Sequence, residues 1–558
     1  MKRNLTDLTT ESFDIVVVGG GIFGACASWE AVLRGHSVAL VEKEDFCHAT
    51  SANHYKMVHS GVRYLQHADF FRLRESSKER TVLLRIAPHL VQNLPIMIPT
   101  YGHGIRGKAF LGTGMLVFDL LTIDRNTALS PSRKIPRSRF LSVKDVIDQY
   151  PGVKKAGLTG AVVFDEGQMY NPPRLALSFI RSAVEKGAVA ANYVKATGFL
   201  RSGSRITGIT AQDELTGNQF DIQGKMVLNT AGPWAHHLLH SALDIRLDPQ
   251  PTFSRDLAFV IPKRFESCFG IALATTTKDV DTIVDRGGRH LFAMPWRDYT
   301  LIGVWHKVFN RSPDELDLEE KELEGYVSEV NAAYPGLIDS QADIRIVNMG
   351  LTLFGEEEKQ GYRQLSFGKR SQIIDHALSH KLEGLVTLIG VRATMARIMA
   401  AKVFDLIAVR MGRDGSKSDS SRIPIFGGDL DDFASFEAAV QKRLSNHIKA
   451  EQITALVRNY GTRYADVLKY ADSDPALYET LEGSTVLKAE IVHAVRDEMV
   501  QKLTDVVMRR TDLGSASAPS TEALKTCASI TGEELGWDQK EREGEIQEVL
   551  QLYPYRKH

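Results

Sequence analysis

Three glycines near the amino terminus have the spacing of a turn that binds a dinucleotide. Gly19, Gly21 and Gly24 follow a β-branched run at residues 15–18 and begin a helical segment. Glycine at these positions permits a tight turn, a close approach of the backbone to a pyrophosphate and close packing of helix on strand. The next strand, SVALVE, ends at Glu42, whose carboxylate can accept hydrogen bonds from both ribose hydroxyls. Because strand, helix, second strand and acid occur in this order, the pattern favours a dinucleotide site over a chance cluster of glycines.

A second group of residues able to do chemistry lies in GVRATMAR, residues 390–397. The apolar run EGLVTLI precedes it, which predicts a buried strand with Arg392 near its carboxyl end, where active sites of α/β sheets lie. Arginine offers a planar fork for a carboxylate or phosphate and does not act as a neutral base. We therefore expect Arg392 to hold an anion or to stabilise negative charge in the site. The alternative is an ion pair between Arg392 and an acid at a domain boundary.

The segment at residues 48–67 indicates which dinucleotide is bound. It reads HATSANHYKMVHSGVRYLQH, rich in Ser, His, Lys and Tyr, without the Val/Ile pattern of a strand. An NAD domain would normally continue into another strand here, whereas a polar extended segment suits a flavin enzyme. A solvated loop is the alternative.

This segment resembles the ATSS-A-S-S-K-L-I-H-G-G-x-R-Y-L segment of FAD-dependent glycerol-3-phosphate dehydrogenases. The positions that match are Thr50, Ser51, Lys56, His59, Gly61, Arg63, Tyr64 and Leu65, and those that depart are Asn53, His54, Tyr55 and Ser60. The resemblance continues through AGPW at residues 231–234, through RHLFAMPWRDYTLIGVWHKVF at residues 289–309, and into the C-terminal AEIVHAVRDEMVQKLTDVVMRRTDLG. It thus covers residues 14–550, and the chain is similar to a divergent member of that family.

The resemblance implies an α/β fold of the glutathione-reductase or D-amino-acid-oxidase type. A Rossmann-like FAD-binding domain and an antiparallel-sheet substrate domain would interleave over residues 14–430. We expect cofactor segments near 14–85, 155–240 and 345–410, and substrate segments near 86–154 and 241–344. A Gly/Ser/Asp-rich stretch near residues 405–435 reads as a boundary, and an all-α cap would occupy residues 431–558.

The resemblance also implies non-covalent FAD, although Cys47 and His48 lie near enough to the flavin segment for a covalent link. Val194 would contact the adenine through its backbone. The expected cofactor-binding residues are Gly19, Gly21, Ile22, Phe23, Gly24, Glu42, Lys43, Thr50, Ser51, Lys56, His59, Gly61, Val194, Ala231, Gly232, Trp234, Gly350, Gly390, Arg392, Ala393 and Thr394.

The implied reaction is hydride transfer to flavin N5 from a carbon that bears a hydroxyl or an amine. The residues expected to serve it are Arg392, Arg370, Tyr64, Arg63 and Arg255. Several departures affect the substrate. Thr352 replaces the family's substrate-phosphate arginine, Arg392 replaces a lysine, Arg255 and Asp256 replace a lysine and a histidine, and residues 304–306 read VWH in place of TTD.

These departures leave three functions open. The substrate is glycerol 3-phosphate or a related phosphate held by Arg370, Arg392 and Arg255, or it is a larger or less charged alcohol or amine. The third alternative is a non-catalytic FAD-binding relative. Loss of one buried bidentate arginine weakens phosphate binding by roughly 2–5 kcal/mol.

Composition narrows the partners and the compartment. A formal net charge of −1 over 558 residues favours no nucleic-acid partner. The 4 cysteines form neither a CxxC pair nor a cluster with histidines, so we expect reduced thiols, no metal and a cytoplasmic location. The polar start MKRNLTDLTTESFD does not resemble a signal peptide, and no apolar run is long enough for a membrane helix.

One surface segment raises the question of a membrane. An apolar stretch at residues 109–121 is flanked by basic residues, namely Arg106, Lys108, Arg125, Arg133, Lys134, Arg137 and Arg139. This pattern predicts either a helix lying on the inner face of the cytoplasmic membrane or a buried helix beside a basic loop. Membrane-bound relatives pass electrons to quinone at such a surface. The partners that we consider are an anionic small molecule, a quinone or another acceptor, a peripheral membrane surface and a second copy of the chain.

Two further expectations concern charged residues outside these motifs. Asp165, Glu166 and Gln168 are expected to begin a loop before the helix that Asn171 caps. In the C-terminal region, Glu490 is expected to pair with the later R-R-T, as in the family. Glu490, His493 and Arg496 together are read as a scaffold of salt bridges more than as a site.

Overall fold

The computed structural model describes residues 1–104, 107–275, 290–359, 362–366, 370–413 and 417–553. The strands are β1 Ser12–Val18, β2 Val38–Val41, β3 Met57–Val58, β4 Val91–Tyr101, β5 Arg139–Leu141, β6 Leu158–Met169, β7 Val189–Ala191, β8 Val194–Ser202, β9 Arg205–Asp213, β10 Gln219–Asn229, β11 Thr252–Pro262, β12 Gly270–Ala274, β13 His290–Trp296, β14 Tyr299–Phe309, β15 Ile346–Lys359, β16 Tyr362–Ser366, β17 Gln372–Asp375 and β18 Leu385–Ile389.

The helices follow the same order along the chain. They are α1 Leu5–Thr10, α2 Ile22–Leu33, α3 Phe70–Ile86, α4 Lys108–Leu121, α5 Val143–Gln149, α6 Pro172–Glu185, α7 Ala235–Leu243, α8 Glu320–Ala333, α9 His376–Ser379, α10 Ala396–Arg410, α11 Phe433–Leu444, α12 Ala450–Tyr460, α13 Tyr464–Ser473, α14 Lys488–Glu498, α15 Leu503–Asp505, α16 Thr521–Leu535 and α17 Gln539–Gln551.

The first sheet is largely parallel and forms the Rossmann-like half of the fold. Its strand order is β17-β18-β10-β1-β2-β7, with β9 and β8 continuing from β10. Helices α2, α6 and α10 pack on one face, and α7 with β8 and β9 covers the other. Strands covered on both faces are apolar throughout, which explains the uninterrupted run at residues 15–18. The predicted α/β fold with a Rossmann-like half is confirmed.

The second sheet is almost entirely antiparallel and faces the first across the functional site. Its order is β16-β15-β11-β14-β13-β12-β4-β6-β3, with β5 beside β6. Strands β6 and β15 lie within the segments 155–240 and 345–410 that we assigned to the cofactor domain, yet both are strands of this sheet. The chain thus alternates between the two sheets more often than the predicted segments do. The predicted domain boundaries stay a prediction.

The expectation of a loop at residues 165–168 is wrong, because these polar residues lie inside β6. Each has a partner that satisfies it there. Asp165 Oδ2 accepts from Arg139 at 3.2 Å, Gln168 Nε2 donates to the Pro295 carbonyl at 2.8 Å, and Glu166 accepts from the Ser60 hydroxyl at 2.8 Å. Buried polar groups are tolerated in a strand when hydrogen bonds replace the lost water.

A helical region from α11 to α17 follows, as predicted, and a buried ionic network joins it to the Rossmann-like half. Arg509 Nε and Arg510 Nη1 lie 2.6 and 2.7 Å from Asp45 Oδ2, just beyond β2. Burial alone would raise the pKa of Asp45, but Arg510 and Arg509 hold that pKa well below its usual range. The R-R-T therefore pairs with Asp45 and not with Glu490, whose carboxylate accepts from the Leu487 N–H at 2.9 Å.

Two of the three C-terminal residues, His493 and Arg496, lie beside acids as the scaffold interpretation expects, whereas Glu490 forms no ion pair within the described residues. His493 Nδ1 lies 3.0 Å from Asp497 Oδ2, and Arg496 Nε lies 2.7 Å from Glu534 Oε2. The first pair joins neighbouring turns of α14, and the second joins α14 to α16. The Glu490 side chain accepts a backbone hydrogen bond at the start of α14.

Candidate active site

A cavity of about 1450 Å³ separates the carboxyl ends of the first sheet from one face of the second. Ligands of open α/β sheets bind at such ends. The turns after β1, β2, β10 and β18 form one wall, and residues of β11, β14 and β15 form the other. Single-ligand pockets measure roughly 300–1,000 Å³, so this cavity has room for a dinucleotide and a second molecule.

The glycine turn after β1 leaves backbone open to the cavity. A Cβ atom at Gly19, where φ is +104°, would lie 2.7 Å from the Thr230 carbonyl oxygen, and a Cβ at Gly21 would lie 3.0 Å from Ser51 Oγ. Helix α2 begins directly after Gly21 without a side-chain cap, and the Ile22 N–H donates to Ser51 Oγ at 2.9 Å. An uncapped helix amino terminus attracts phosphate oxygens.

The next two residues of this segment, Phe23 and Gly24, have different roles. A Cβ at Gly24 would lie 1.9 Å from the Gly19 carbonyl oxygen, so Gly24 permits close packing and does not itself line the cavity. Phe23 lines it, and a Cβ at Gly390 would lie 2.0 Å from the Phe23 ring.

Glu42 lies at the end of β2, where the ribose of a dinucleotide is expected. Its carboxylate accepts from the Gly20 N–H at 2.7 Å and from the Glu44 N–H at 3.1 Å, and burial raises its pKa. The Val194 N–H donates to the Glu42 carbonyl at 2.7 Å, which brings β8 to the same place. A carboxylate with two bonds keeps further lone pairs for hydroxyl donors.

Lys43 and Trp234 close this end of the cavity. Lys43 Nζ lies 4.0 Å from the centre of the Trp234 ring, and Trp234 Nε1 donates to Asp314 Oδ1 at 2.8 Å. The other predicted residues that line this half are Thr50, Ser51, Ala231, Gly232 and Gly350.

The opposite end of the cavity brings together three of the five predicted catalytic side chains, Arg392, Tyr64 and Arg63. Arg392 donates to the Tyr64 hydroxyl, and its guanidinium lies 4.9 Å from the centre of the Tyr64 ring. Burial, and then the charge of Arg63, lowers the pKa of Arg392 to about 10, so it remains a cation at neutral pH. Arg63 lines the cavity as an exposed residue. Within the part of the chain that the structure describes, Arg392 makes no ion pair with an acid.

His59, Gly61, Ala393 and Thr394 line the same end. The His59 N–H donates to Thr394 Oγ1 at 3.0 Å and so ties the flavin segment to the turn after β18. Burial, together with Arg392 and Arg63, lowers the pKa of His59 to about 3, so its ring is neutral and weakly basic.

Besides Gly24, three predicted residues do not line the cavity. Lys56 Nζ donates to Asn348 Oδ1 at 3.0 Å beside the Trp296 ring, and burial lowers its pKa to about 7. Arg255 donates to the Asp317 carbonyl at 2.6 Å and pairs with Glu322, because its neighbours in β11 are the ones that face the cavity. Arg370 is exposed and does not line the cavity. The expected phosphate clamp of Arg370, Arg392 and Arg255 is therefore corrected, since Arg392 alone of these lines the cavity.

The structure brings together two polar clusters that sequence reasoning missed. Asp256 Oδ1 lies 2.7 Å from His306 Nδ1 and accepts from Ser254 Oγ at 2.8 Å, with Thr352 opposite Ser254 on β15. In the second cluster, Glu166 accepts from both the N–H and the hydroxyl of Ser60. Strand alternation through FSRDLA was the available signal for the first cluster, whereas nothing local joins Ser60 to Glu166.

The cavity also extends to helix α4. Apolar side chains line this branch, namely Ile96, Ile98, Phe110, Leu111, Met115, Val117 and Phe164. Phe110 and Val117 are exposed at the surface as well, so the branch ends among exposed apolar residues of α4.

FAD fits the residues that are present. The glycine turn and the uncapped α2 would hold its pyrophosphate, Glu42 its ribose, and the segments around His59 and Thr394 its ring. The volume of the cavity accommodates FAD together with a substrate.

Comparisons with known proteins agree with this site. The family model for FAD dependent oxidoreductases matches residues 14–394, and the model for the C-terminal domain of alpha-glycerophosphate oxidase matches residues 418–542. The chain is 28% identical to the glycerol-3-phosphate dehydrogenase of Synechocystis sp. over 558 residues, which covers 98% of this chain and 97% of that protein. It is 29% identical to the aerobic glycerol-3-phosphate dehydrogenase of Staphylococcus haemolyticus over 91% of this chain and 88% of that protein.

The structural comparison concerns the fold. The glycerol-3-phosphate dehydrogenase from Bacillus halodurans, solved with FAD, superposes with a TM-score of 0.75 at 22% identity, covering 99% of this chain and 97% of that chain. Its likeness extends over both sheets and the helical cap. Because the first family model matches well over half of the residues and the site fits the cofactor, the chain belongs to the FAD-dependent oxidoreductase family.

Proposed function

We propose that this flavoenzyme oxidises glycerol 3-phosphate or a closely related hydroxylated phosphate and passes the electrons to a quinone at a membrane surface. The observation that carries the substrate is similarity over nearly the whole chain to proteins named glycerol-3-phosphate dehydrogenase. The pair Arg392 and Arg63 supports an anionic substrate, because these cations line the cavity beside Tyr64.

The residues of the site divide the work. When FAD is bound, its ring supplies the acceptor for the hydride that leaves the substrate carbon. Arg392 and Arg63 would hold the anionic end of the substrate, and the Tyr64 hydroxyl fixes the direction of the Arg392 fork. Bidentate arginine contacts restrict an anion in both position and angle. His59 would remain neutral and contribute position through its bond to Thr394.

A panel of substrates tests this assignment. The purified holoenzyme is mixed without oxygen with glycerol 3-phosphate, glycerol and small amines, and the flavin absorbance is followed. Flavin reduction by glycerol 3-phosphate, but not by glycerol or the amines, supports the proposal.

The cluster around Asp256 favours a second candidate, an alcohol without phosphate. Thr352 and Ser254 place hydroxyl groups where the resemblance expects a phosphate-binding arginine, and the Asp256 carboxylate beside them would repel a phosphate. Such a wall offers donors and acceptors suited to neutral hydroxyls.

Thr352→Arg shows whether the substrate phosphate lies at this wall. If the substrate phosphate lies near this wall, a guanidinium there should tighten the apparent Kd of glycerol 3-phosphate by about tenfold, the effect of 1.4 kcal/mol. Thr352→Gln is the matched control, because it adds length without charge. The rate of flavin reduction, measured at increasing concentrations of glycerol 3-phosphate, gives the apparent Kd of each variant. Unchanged binding in the arginine variant would mean that the phosphate lies at the Arg392 end.

The proposed membrane surface rests on helix α4. The expectation of a buried helix is wrong, because Leu116, Leu120 and Ile123 are 61, 63 and 71% exposed. Phe71, at the start of α3, is 72% exposed. No helix in the described part of the chain is long and apolar enough to cross a membrane.

The basic residues contribute less to this surface than the sequence suggested. Arg125 pairs with Asp119 at 3.2 Å, Arg133 Nη1 donates to the Leu84 carbonyl at 2.8 Å, and Arg139 pairs with Asp165. Arg106 lies outside the described residues. We therefore propose that apolar contact dominates and that the apolar branch beneath α4 admits the quinone.

Vesicle binding tests this surface. The protein should sediment with phospholipid vesicles, and Leu116→Glu with Leu120→Glu should reduce the bound fraction at least fivefold. Added salt should weaken binding only modestly, because the exposed residues of the patch are apolar and two of the basic residues, Arg125 and Arg139, are already paired with acids. The control is Leu378→Glu with Val409→Glu, since Leu378 and Val409 are 76 and 72% exposed outside the patch. If a second copy of the chain covers the patch, the leucine variant will instead convert a dimer to a monomer without vesicles.

A further inference from the structure

Glu166 is a buried acid at the catalytic end of the cavity without a role so far. It lies in β6, and Phe164, two residues before it on the same strand face, also lines the cavity. Strand β3 pairs Val58 with Gly167, which brings Glu166 beside the loop that contains His59 and Ser60. Glu166 is therefore bonded to Ser60, the neighbour of His59, and the His59 N–H donates to Thr394 Oγ1.

The hydrogen bonds of Glu166 hold it in a defined orientation. One carboxylate oxygen accepts from the Ser60 N–H, and the other accepts from the Ser60 hydroxyl at 2.8 Å. A carboxylate has about four lone-pair sites, so each oxygen can accept one more proton donor. With 3% exposure, the group faces the cavity and not bulk water.

Burial outweighs the favourable charges and hydrogen bonds around Glu166. Burial raises its pKa to about 7, while the Arg80 guanidinium and the bonds from Ser60 favour the ionised form and Asp165 opposes it. The neutral His59 and the cation Arg63 come from the facing segment, and the cation Arg392, which donates to the Tyr64 hydroxyl, comes from the turn after β18. A proton acceptor works best when its pKa lies near the operating pH.

The other basic side chains nearby suit this task less well. His59 is too weakly basic, with a pKa near 3, and Lys56 faces away from the cavity. Arg392 is a cation, and a guanidinium does not act as a neutral base. His306 Nδ1 lies 2.7 Å from Asp256 Oδ1, so Asp256 already holds it.

Resting on the proposed function, we propose that the Glu166 carboxylate accepts the proton of the substrate hydroxyl during oxidation, with the Ser60 hydroxyl orienting it. The O–H bond breaks and its proton moves to Glu166, while the C–H electron pair leaves as hydride to FAD. A C=O bond forms in the product. The proton then leaves to solvent, which returns Glu166 to the carboxylate form.

The test measures the rate of flavin reduction by glycerol 3-phosphate in the anaerobic holoenzyme between pH 5.5 and 9. The wild-type rate should rise with pH around a midpoint near 7, because only the carboxylate form accepts the proton. Glu166→Gln should lose this rise and slow reduction by roughly 10²–10⁴-fold, the range for general acid–base catalysis. Ser60→Ala should keep the rise with a higher midpoint, since the carboxylate loses a donor.

Asp165→Asn is the matched control on the same strand. Its side chain faces Arg139, so the variant should keep the rise, with a slightly lower midpoint because a charge that opposes ionisation is gone.

A readout independent of turnover is the melting temperature. Because the folded pKa of Glu166 exceeds its unfolded value of roughly 4.3, stability declines between about pH 4.3 and 7. Glu166→Gln should remove this decline, so that its melting temperature relative to wild type increases from pH 5 to pH 8.

The outcomes separate this inference from the proposed function. A wild-type flavin that glycerol 3-phosphate does not reduce overturns both. A reducible wild type whose Glu166→Gln variant keeps the same pH rise overturns the proton-acceptor role alone, and it would leave Glu166 as an anchor for the loop. If Glu166→Gln does not retain FAD, the expected shift of the midpoint in Ser60→Ala decides, and an unshifted midpoint overturns the role.

Discussion

Replacing Arg392 with alanine should slow reduction of the bound flavin by glycerol 3-phosphate by about 30- to 4,000-fold. The expectation follows from its position at the end of β18, where it lines the cavity and is hydrogen-bonded to Tyr64. Loss of one partner of a desolvated charge pair costs roughly 2–5 kcal/mol, which corresponds to that range. Stopped-flow absorbance of the anaerobic holoenzyme measures the rate.

Two further variants show whether charge or geometry matters at this position. Arg392→Lys should recover part of the rate, because it restores the cation but not the planar fork. Arg205→Ala should change little, since Arg205 is an exposed residue that pairs with Glu383 away from the cavity. FAD content and melting temperature should stay near wild type in all three variants. Full activity in Arg392→Ala, or loss of its FAD, would refute this role.

Replacing Asp45 with alanine should lower the free energy of unfolding more than any other substitution proposed for this protein. The substitution leaves the guanidinium groups of Arg509 and Arg510 buried without their shared carboxylate. Removing one partner of a buried ion pair destabilises by roughly 3–5 kcal/mol. Because Asp45 lies just after β2 and both arginines lie in the cap, the cap should also detach more readily. Limited proteolysis and the melting temperature of the holoenzyme measure these effects.

The control for Asp45 is an ion pair of similar chemistry at the surface. Glu185 and Arg463 lie 2.9 Å apart with side chains 49 and 43% exposed. Glu185→Ala should lower stability by at most about 1 kcal/mol, because water replaces the lost partner. Equal melting temperatures for the two variants would show that the buried network does not hold the cap.

The sequence predicted the cofactor half of the site well because its pattern is local. The glycine turn, Glu42 and the run before Arg392 each require only a strand and the residues that directly follow it. A strand end in a parallel sheet fixes where the following residue lies, so Arg392 could be placed without the rest of the fold.

The substrate half depended on contacts that sequence spacing does not contain. Arg255 and Asp256 are neighbours in β11, and only the pairing of that strand decides which one faces the cavity; a shift of one residue would exchange them. Ser60 and Glu166 are separated by 106 positions, and Asp45 and Arg510 by 465. Family likeness suggested Arg370 and Arg255 as phosphate ligands, whereas the folded strands turn Arg255 toward Glu322.

Anaerobic reduction of the bound flavin by glycerol 3-phosphate tests the proposed dehydrogenase activity. We expect that the absorbance of oxidised FAD disappears on mixing, that one ketone forms per flavin, and that an added quinone analogue restores the oxidised spectrum. Glycerol at the same concentration should leave the flavin oxidised. A flavin that dithionite reduces but glycerol 3-phosphate does not would contradict the proposed activity.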